Sequence, residues 1–96
     1  MLKLRTMTKK NLDSLRDKVD FIDKKLVHLL AERFKIIKKI AKYKKRHNLP
    51  IMDFKRVKEM QKLRLKFAKP FRVPPKMITH IFKDLINFSM NEEKKM

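Results

Sequence analysis

Two cations, Arg33 and Lys44, interrupt an otherwise apolar helical seam. Arg33 takes the heptad position that Leu12, Val19, Leu26 and Ile40 fill elsewhere. Beside it a second row at sevenfold spacing runs Arg16, Asp23, Leu30, Ile37 and Lys44. Arg33 and Lys44 stand eleven residues, or three helical turns, apart, so they project from one face with Ile37 and Ile40 between them. Burying an unpaired cation costs on the order of several kcal/mol. Asp23 and Glu32 are the main acids near enough in sequence to neutralise them. One reading is an ion pair, or cations whose stems lie on apolar surface while the heads reach water. The other is a dry pocket for a small dianion, gripped bidentately by a guanidinium and touched by a movable ammonium. Apolar neighbours strengthen such contacts by excluding water. Periodicity alone leaves the two open.

These cations need a long helix to carry them. The stripe Leu12, Leu15, Val19, Ile22, Leu26, Leu29 steps by three and four and continues through Ile36 and Ile40. Thr8 or Asn11 is a plausible N-cap, and Pro50 predicts a stop near His47 or Asn48. Asp13, Asp17 and Asp20 lie early and Lys42, Lys44, Lys45 and Arg46 late, which suits the helix dipole. A helix over about residues 10–46 would be ~55 Å long, against the roughly 30–35 Å width of a compact chain of this size. The rest of the chain cannot cover such a seam, so an intertwined helical homodimer is expected. Asp53 predicts the N-cap of a second helix with Val57, Met60, Leu63 and Phe67 inward. Pro74 and Pro75 open a third, with Ile78, Phe82, Leu85, Ile86 and Ser89 on one side. The expected fold is all-α: a three-helix protomer with one long N-terminal helix. Residues 1–10 are expected as a basic tail, 11–93 as the domain, and 94–96 as a frayed end, with fraying beginning near Asn91.

The 96 residues contain no cysteine and no glycine, which excludes disulfides, thiolate metal sites and Gly-rich phosphate loops. His28, His47 and His80 match no zinc spacing, so no metal is expected. The basic start lacks a secretory apolar stretch, and no run approaches the ~18–20 apolar residues of a membrane span. A cytoplasmic location with no membrane partner is the expectation. The formal charge of +18 favours anionic partners without naming one.

The string Leu12-Asp13-Ser14-Leu15-Arg16-Asp17-Lys18-Val19-Asp20-Phe21-Ile22-Asp23, followed by Leu29-Leu30-Ala31-Glu32-Arg33, closely resembles the opening helix of the all-helical chorismate mutases. The likeness continues through Ala41-Lys42-Tyr43-Lys44, Leu49-Pro50-Ile51 and Asp53-Phe54-Lys55-Arg56. It ends in the less specific stretch containing Ile81, Phe82, Ile86 and Ser89. The resemblance implies an intertwined dimer with two equivalent sites. Each would rearrange the chorismate dianion to prephenate without a cofactor, at the branch toward phenylalanine and tyrosine.

Residue roles follow from the resemblance position by position. Arg16 matches an arginine that reaches into the partner's site to bind a carboxylate. Arg33 matches the carboxylate-binding arginine of the same chain. Lys44 matches the lysine that hydrogen-bonds the ether oxygen of the breaking bond. Asp53 and Arg56 match the start of the second helix, where the hydroxyl and ring carboxylate are held. Ser89 matches a polar contact to the ring carboxylate.

Two positions depart from the family pattern. Val57 stands where a glutamate commonly accepts from the substrate's hydroxyl, a hydrogen bond of about 1 kcal/mol net. Glu93 stands where glutamine is common as a second donor to the ether oxygen, and a carboxyl donates only when protonated. Activity is therefore expected to rise toward acidic pH, unless Glu93 is merely a frayed, solvent-facing residue.

Three other readings compete. Isochorismate-pyruvate lyases share the fold and many of the cations, and Arg56-Val57 resembles that branch too. Ser89 and Asp53 favour the mutase, since those lyases carry a bulky aromatic where Ser89 stands. A basic helical nucleic-acid-binding dimer is a second alternative. The basic residues surround every helix, so salt-sensitive affinity without specific nucleic-acid recognition is expected. Docking to another aromatic-pathway enzyme is a third.

Overall fold

The computed structural model describes the backbone of residues 2–96 and the side chains from residue 9 onward. Three helices follow in order: α1 Leu2–Arg46, α2 Phe54–Ala68 and α3 Pro75–Lys95, with a short 3-10 turn Lys69–Phe71 ahead of α3. No strand occurs among the described residues. The all-α expectation and the element order hold.

The beginning of α1 differs from expectation. The helix already runs from Leu2, through the stretch read as a basic tail, and Asn11 lies inside it. Thr8, the other expected cap, has its side chain outside the described residues. Nothing in residues 2–10 is glycine or proline, and leucine, lysine, arginine and methionine are all good helix formers.

The chain divides into two units, residues 1–35 and 36–96. The first consists of α1 alone. Its apolar seam is open to solvent along its length: Leu12, Leu15, Val19, Ile22, Leu26 and Leu29 are all exposed, Leu26 by 52%. An uncovered side chain of this kind leaves unrealised the roughly 1.5–3 kcal/mol that full burial would contribute. Lys25 lies over the Phe21 ring at 4.5 Å, one turn back.

The second unit holds the last turns of α1, then α2 and α3. Helix α1 ends in a Schellman motif. The Asn48 N–H reaches the Lys45 carbonyl at 3.4 Å and the Leu49 N–H reaches the Lys44 carbonyl at 2.8 Å. Asn48 takes the left-handed position, φ 54°, which asparagine tolerates when glycine is absent. Pro50 follows two residues on, as expected for a helix stop. Asp53 caps α2, its Oδ1 accepting from the Arg56 N–H at 3.1 Å. Pro75 opens α3.

Helices α2 and α3 pack on each other. Ile78, Phe82, Leu85 and Ile86 are half-buried and Ser89 is buried, matching the expected inner face of α3. On α2 the face is rotated from the expected one. Val57, Met60, Arg64 and Leu65 are half-buried and Ala68 is buried, while Leu63 and Phe67 are 55% and 74% exposed. Ala68 is small enough for a close approach, and Arg64 lays its guanidinium over the Phe82 ring at 4.4 Å. A planar cation on an aromatic face covers apolar surface as an aliphatic side chain would. The sequence pattern counted only apolar residues, so it held for Val57 and Met60 and failed at Leu63 and Phe67. Phe67 packs instead against Phe71, ring centroids 5.7 Å apart.

Candidate functional site

Lys44 stands two residues before the end of α1, where the chain turns toward α2. Its Nζ donates to the Ile51 carbonyl at 2.6 Å. It also faces both carboxylate oxygens of Glu93, at 3.3 and 3.4 Å. One ammonium therefore ties together α1, the connection after it and the last turns of α3. Proline at position 50 lies outside the helices, and the Ile51 carbonyl just after it is outside any helical ladder and available as an acceptor.

The pair is shielded unequally. The Glu93 side chain is 5% exposed and that of Lys44 23%. Glu93 is thus a buried helical residue, which removes the reading of it as a frayed, solvent-facing one. Fraying from Asn91 is not seen either. Helix α3 continues to Lys95, the Met96 N–H bonds the Glu93 carbonyl at 3.3 Å, and Lys45 Nζ bonds the Met96 carbonyl at 2.7 Å. A cleft of about 470 Å³ opens beside the pair, lined by Ala41, Lys44, Asn48, Leu49, Ile51 and Glu93 among others.

An ammonium carries three N–H bonds. The Ile51 carbonyl and the two Glu93 oxygens offer it three acceptors, so a ligand oxygen would reach the ammonium by replacing one of Glu93's longer contacts. The Lys44–Glu93 pair is neutral in sum, so it fixes geometry without concentrating positive charge. Attraction for a dianion must come from elsewhere.

Ser89 precedes Glu93 by one turn of α3 and is buried, its Oγ donating to the Leu85 carbonyl at 2.8 Å. Asp53 and Arg56 share the capping turn of α2, and both are exposed. Val57, the residue departing from the family pattern, is half-buried and lines an apolar cleft between α2 and α3 with Phe82 and Ile86. Arg16 and Arg33 belong to the first unit; Arg16 is exposed and Arg33 half-buried.

The residue types had singled out Asp23 and Glu32 as neutralising acids, whereas Lys44 pairs with Glu93. The two lie 49 residues apart, beyond the reach of any helical periodicity. The Ile51 carbonyl was missed as well, and Pro50 just before it was the available signal. Among the described residues no group of three or more His, Cys, Asp or Glu is placed to hold a metal. Within the same residues no helix is long and apolar enough to cross a membrane.

Residues 15–94 match the family described as Chorismate mutase type II. The chain belongs to this family. A bifunctional chorismate mutase/prephenate dehydratase of Buchnera aphidicola subsp. Acyrthosiphon pisum is 37% identical over 81 residues, covering 84% of this chain and 21% of that protein. The T-protein of Enterobacter agglomerans is 34% identical over 82 residues, or 85% of this chain and 22% of its own length. A chorismate mutase of Methanocaldococcus jannaschii is 32% identical over 84 residues, 88% of this chain and 85% of that protein. The chain thus spans only about a fifth of the first two relatives but most of the third. No solved structure matches it significantly. Every expected site residue, from Arg16 to Glu93, lies inside the span matched to the type II chorismate mutase family.

Proposed function

We propose that this chain is a chorismate mutase, rearranging chorismate to prephenate without a cofactor, and that it works as an intertwined homodimer. Membership of the family supports the activity. The observation that carries the site is Lys44, held at the junction of three elements beside a cleft.

The rearrangement is unimolecular and pericyclic, so it needs neither nucleophile nor base. The protein contributes by holding the extended substrate in its compact reactive conformer. It contributes further by stabilising the negative charge that develops on the ether oxygen as the C–O bond breaks. In this reading Lys44 donates to that oxygen, and Glu93, once protonated, donates from the other side. Arg33 binds one carboxylate bidentately, and Arg16 reaches a carboxylate in the partner's site. Asp53 takes the substrate's hydroxyl. Arg56 and Ser89 hold the ring carboxylate, Ser89 turning its hydroxyl away from Leu85. Val57 leaves the far wall apolar where the family commonly has an acceptor.

The dimer is supported by the open seam of α1. Isolated helices are marginal in water, and an apolar stripe exposed from Leu12 to Leu29 calls for a covering surface. A second copy of the same seam supplies it by symmetry. The proposal places the protein in the cytoplasm, where docking to another aromatic-pathway enzyme is open to it.

The deciding experiment incubates the protein with chorismate and isochorismate separately. Prephenate from the first supports the mutase, while salicylate and pyruvate from the second would transfer the site to lyase chemistry. Arg33→Ala should lower kcat/KM by at least about a hundredfold, as expected for loss of a bidentate carboxylate contact. Normal turnover in that variant would refute the site.

A further inference from the structure

We propose that the outer face of α2 is a docking strip for the phosphate backbone of duplex nucleic acid. Lys55, Lys58, Lys62, Lys66 and Lys69 follow one another by three, four, four and three residues. At roughly 100° per residue they fall within an arc of about 80°. Lys69 keeps helical geometry, φ −54° and ψ −48°, so the stripe continues past the end of α2 without a turn. All five are exposed, on the side away from Val57, Arg64 and Ala68, which face α3. Glu59 is the only acid in α2.

The stripe ends at a cleft of about 650 Å³ whose lining includes Lys66, Lys69 and Arg72 along with Pro74 and Pro75. Arg72 sits there in the left-handed conformation, φ 58°, its N–H bonded to the Lys69 carbonyl. Six cations thus line up along one edge of the molecule, none of them assigned to the rearrangement. The basic residues do surround the helices, but on α2 they also form a row.

The chemistry of the row favours nucleic acid over an acidic protein. Successive lysines rise about 4.5–6 Å along the helix, a spacing that suits a polyanion with one charge every ~3.4 Å per strand. No aromatic or aliphatic side chain stands between them, so the strip offers neither stacking for single-stranded bases nor the apolar centre of a protein interface, where lysine is depleted. A row of lysines with no asparagine or glutamine among them suits a continuous line of phosphates better than the mixed donor and acceptor pattern of base edges. Binding is therefore insensitive to sequence and strongly dependent on salt.

The test measures affinity for a mixed-sequence DNA duplex across salt concentrations. Three proteins are compared: wild type, a stripe variant with these five lysines changed to glutamine, and a control with Lys9, Lys18, Lys24, Lys35 and Lys42 changed to glutamine. Five phosphate contacts at about 0.9 each predict a fall of roughly 4.5 in the slope of log K against log salt for the stripe variant. The control should lose less than about 1. Equal losses in both would overturn the proposal in favour of overall charge. Polyglutamate competing as well as duplex at equal charge would overturn it in favour of an acidic protein. If the stripe variant loses its helical circular dichroism, lysine acetylation of the wild-type complex decides. Protection of the five stripe lysines above the five controls supports the strip, and uniform protection overturns it.

Discussion

Glu93 presents both carboxylate oxygens to the Lys44 ammonium, at 3.3 and 3.4 Å, across 49 residues of intervening chain. In this arrangement Glu93 is an acceptor, while the proposed reaction asks it to donate. The two roles differ by one proton.

Glu93→Gln is therefore the most informative single change. Glutamine brings an N–H donor to a position where the carboxylate can only accept, so the variant's activity at neutral pH should match or exceed wild type. A loss of turnover in the variant would remove Glu93 from the donor role.

Lys44→Met leaves a buried carboxylate and the Ile51 carbonyl without their partner. Urea unfolding should show a loss of about 2–4 kcal/mol, somewhat less than for a fully buried pair because Lys44 keeps some contact with water. The double variant Lys44→Met with Glu93→Leu should recover much of that loss. Turnover should fall by at least about a hundredfold in both, since the donor to the ether oxygen is gone in each. Recovery of turnover along with stability would sink the assignment.

Ile22→Asp places a charge in the middle of the exposed α1 seam. The proposed dimer would have to bury that charge, so light scattering should report the mass of one chain where wild type reports two. Two chains in the variant would mean that the seam is covered by something other than its own copy.

Asn48 offers a test of the turn that aims the Ile51 carbonyl. Asn48→Gly should keep or slightly raise thermal stability, because glycine adopts the left-handed conformation freely. Asn48→Ala should lower it by about 1 kcal/mol. Identical melting of the two would show that the Schellman geometry contributes little.

Much of the fold was legible because it is written in local signals. Pro50, Asp53 and Pro75 each act within a few residues of where they stand, and each stops or starts a helix as expected. The start of α1 was less legible, since residues 2–10 carry no breaker and two acceptable caps misplaced the boundary. The inner face of α2 was misread because Arg64 covers Phe82 while Leu63 points to solvent, and polarity alone ranks those two the other way. For the site, Lys44 stood out as a cation on an apolar seam. Its acid did not, because tertiary pairing of α1 with α3 leaves no trace in either helix's period. Within the described residues no large side chain is fully buried, so apolar patterning read inside one chain overstates what that chain can cover by itself.

The open α1 seam also bears on abundance. Where folding and pairing are one event, stability is set by how many chains are present. Each tenfold dilution then takes about 1.4 kcal/mol from the folded state. A cell that makes little of this protein would hold less of it folded, and activity would fall faster than expression.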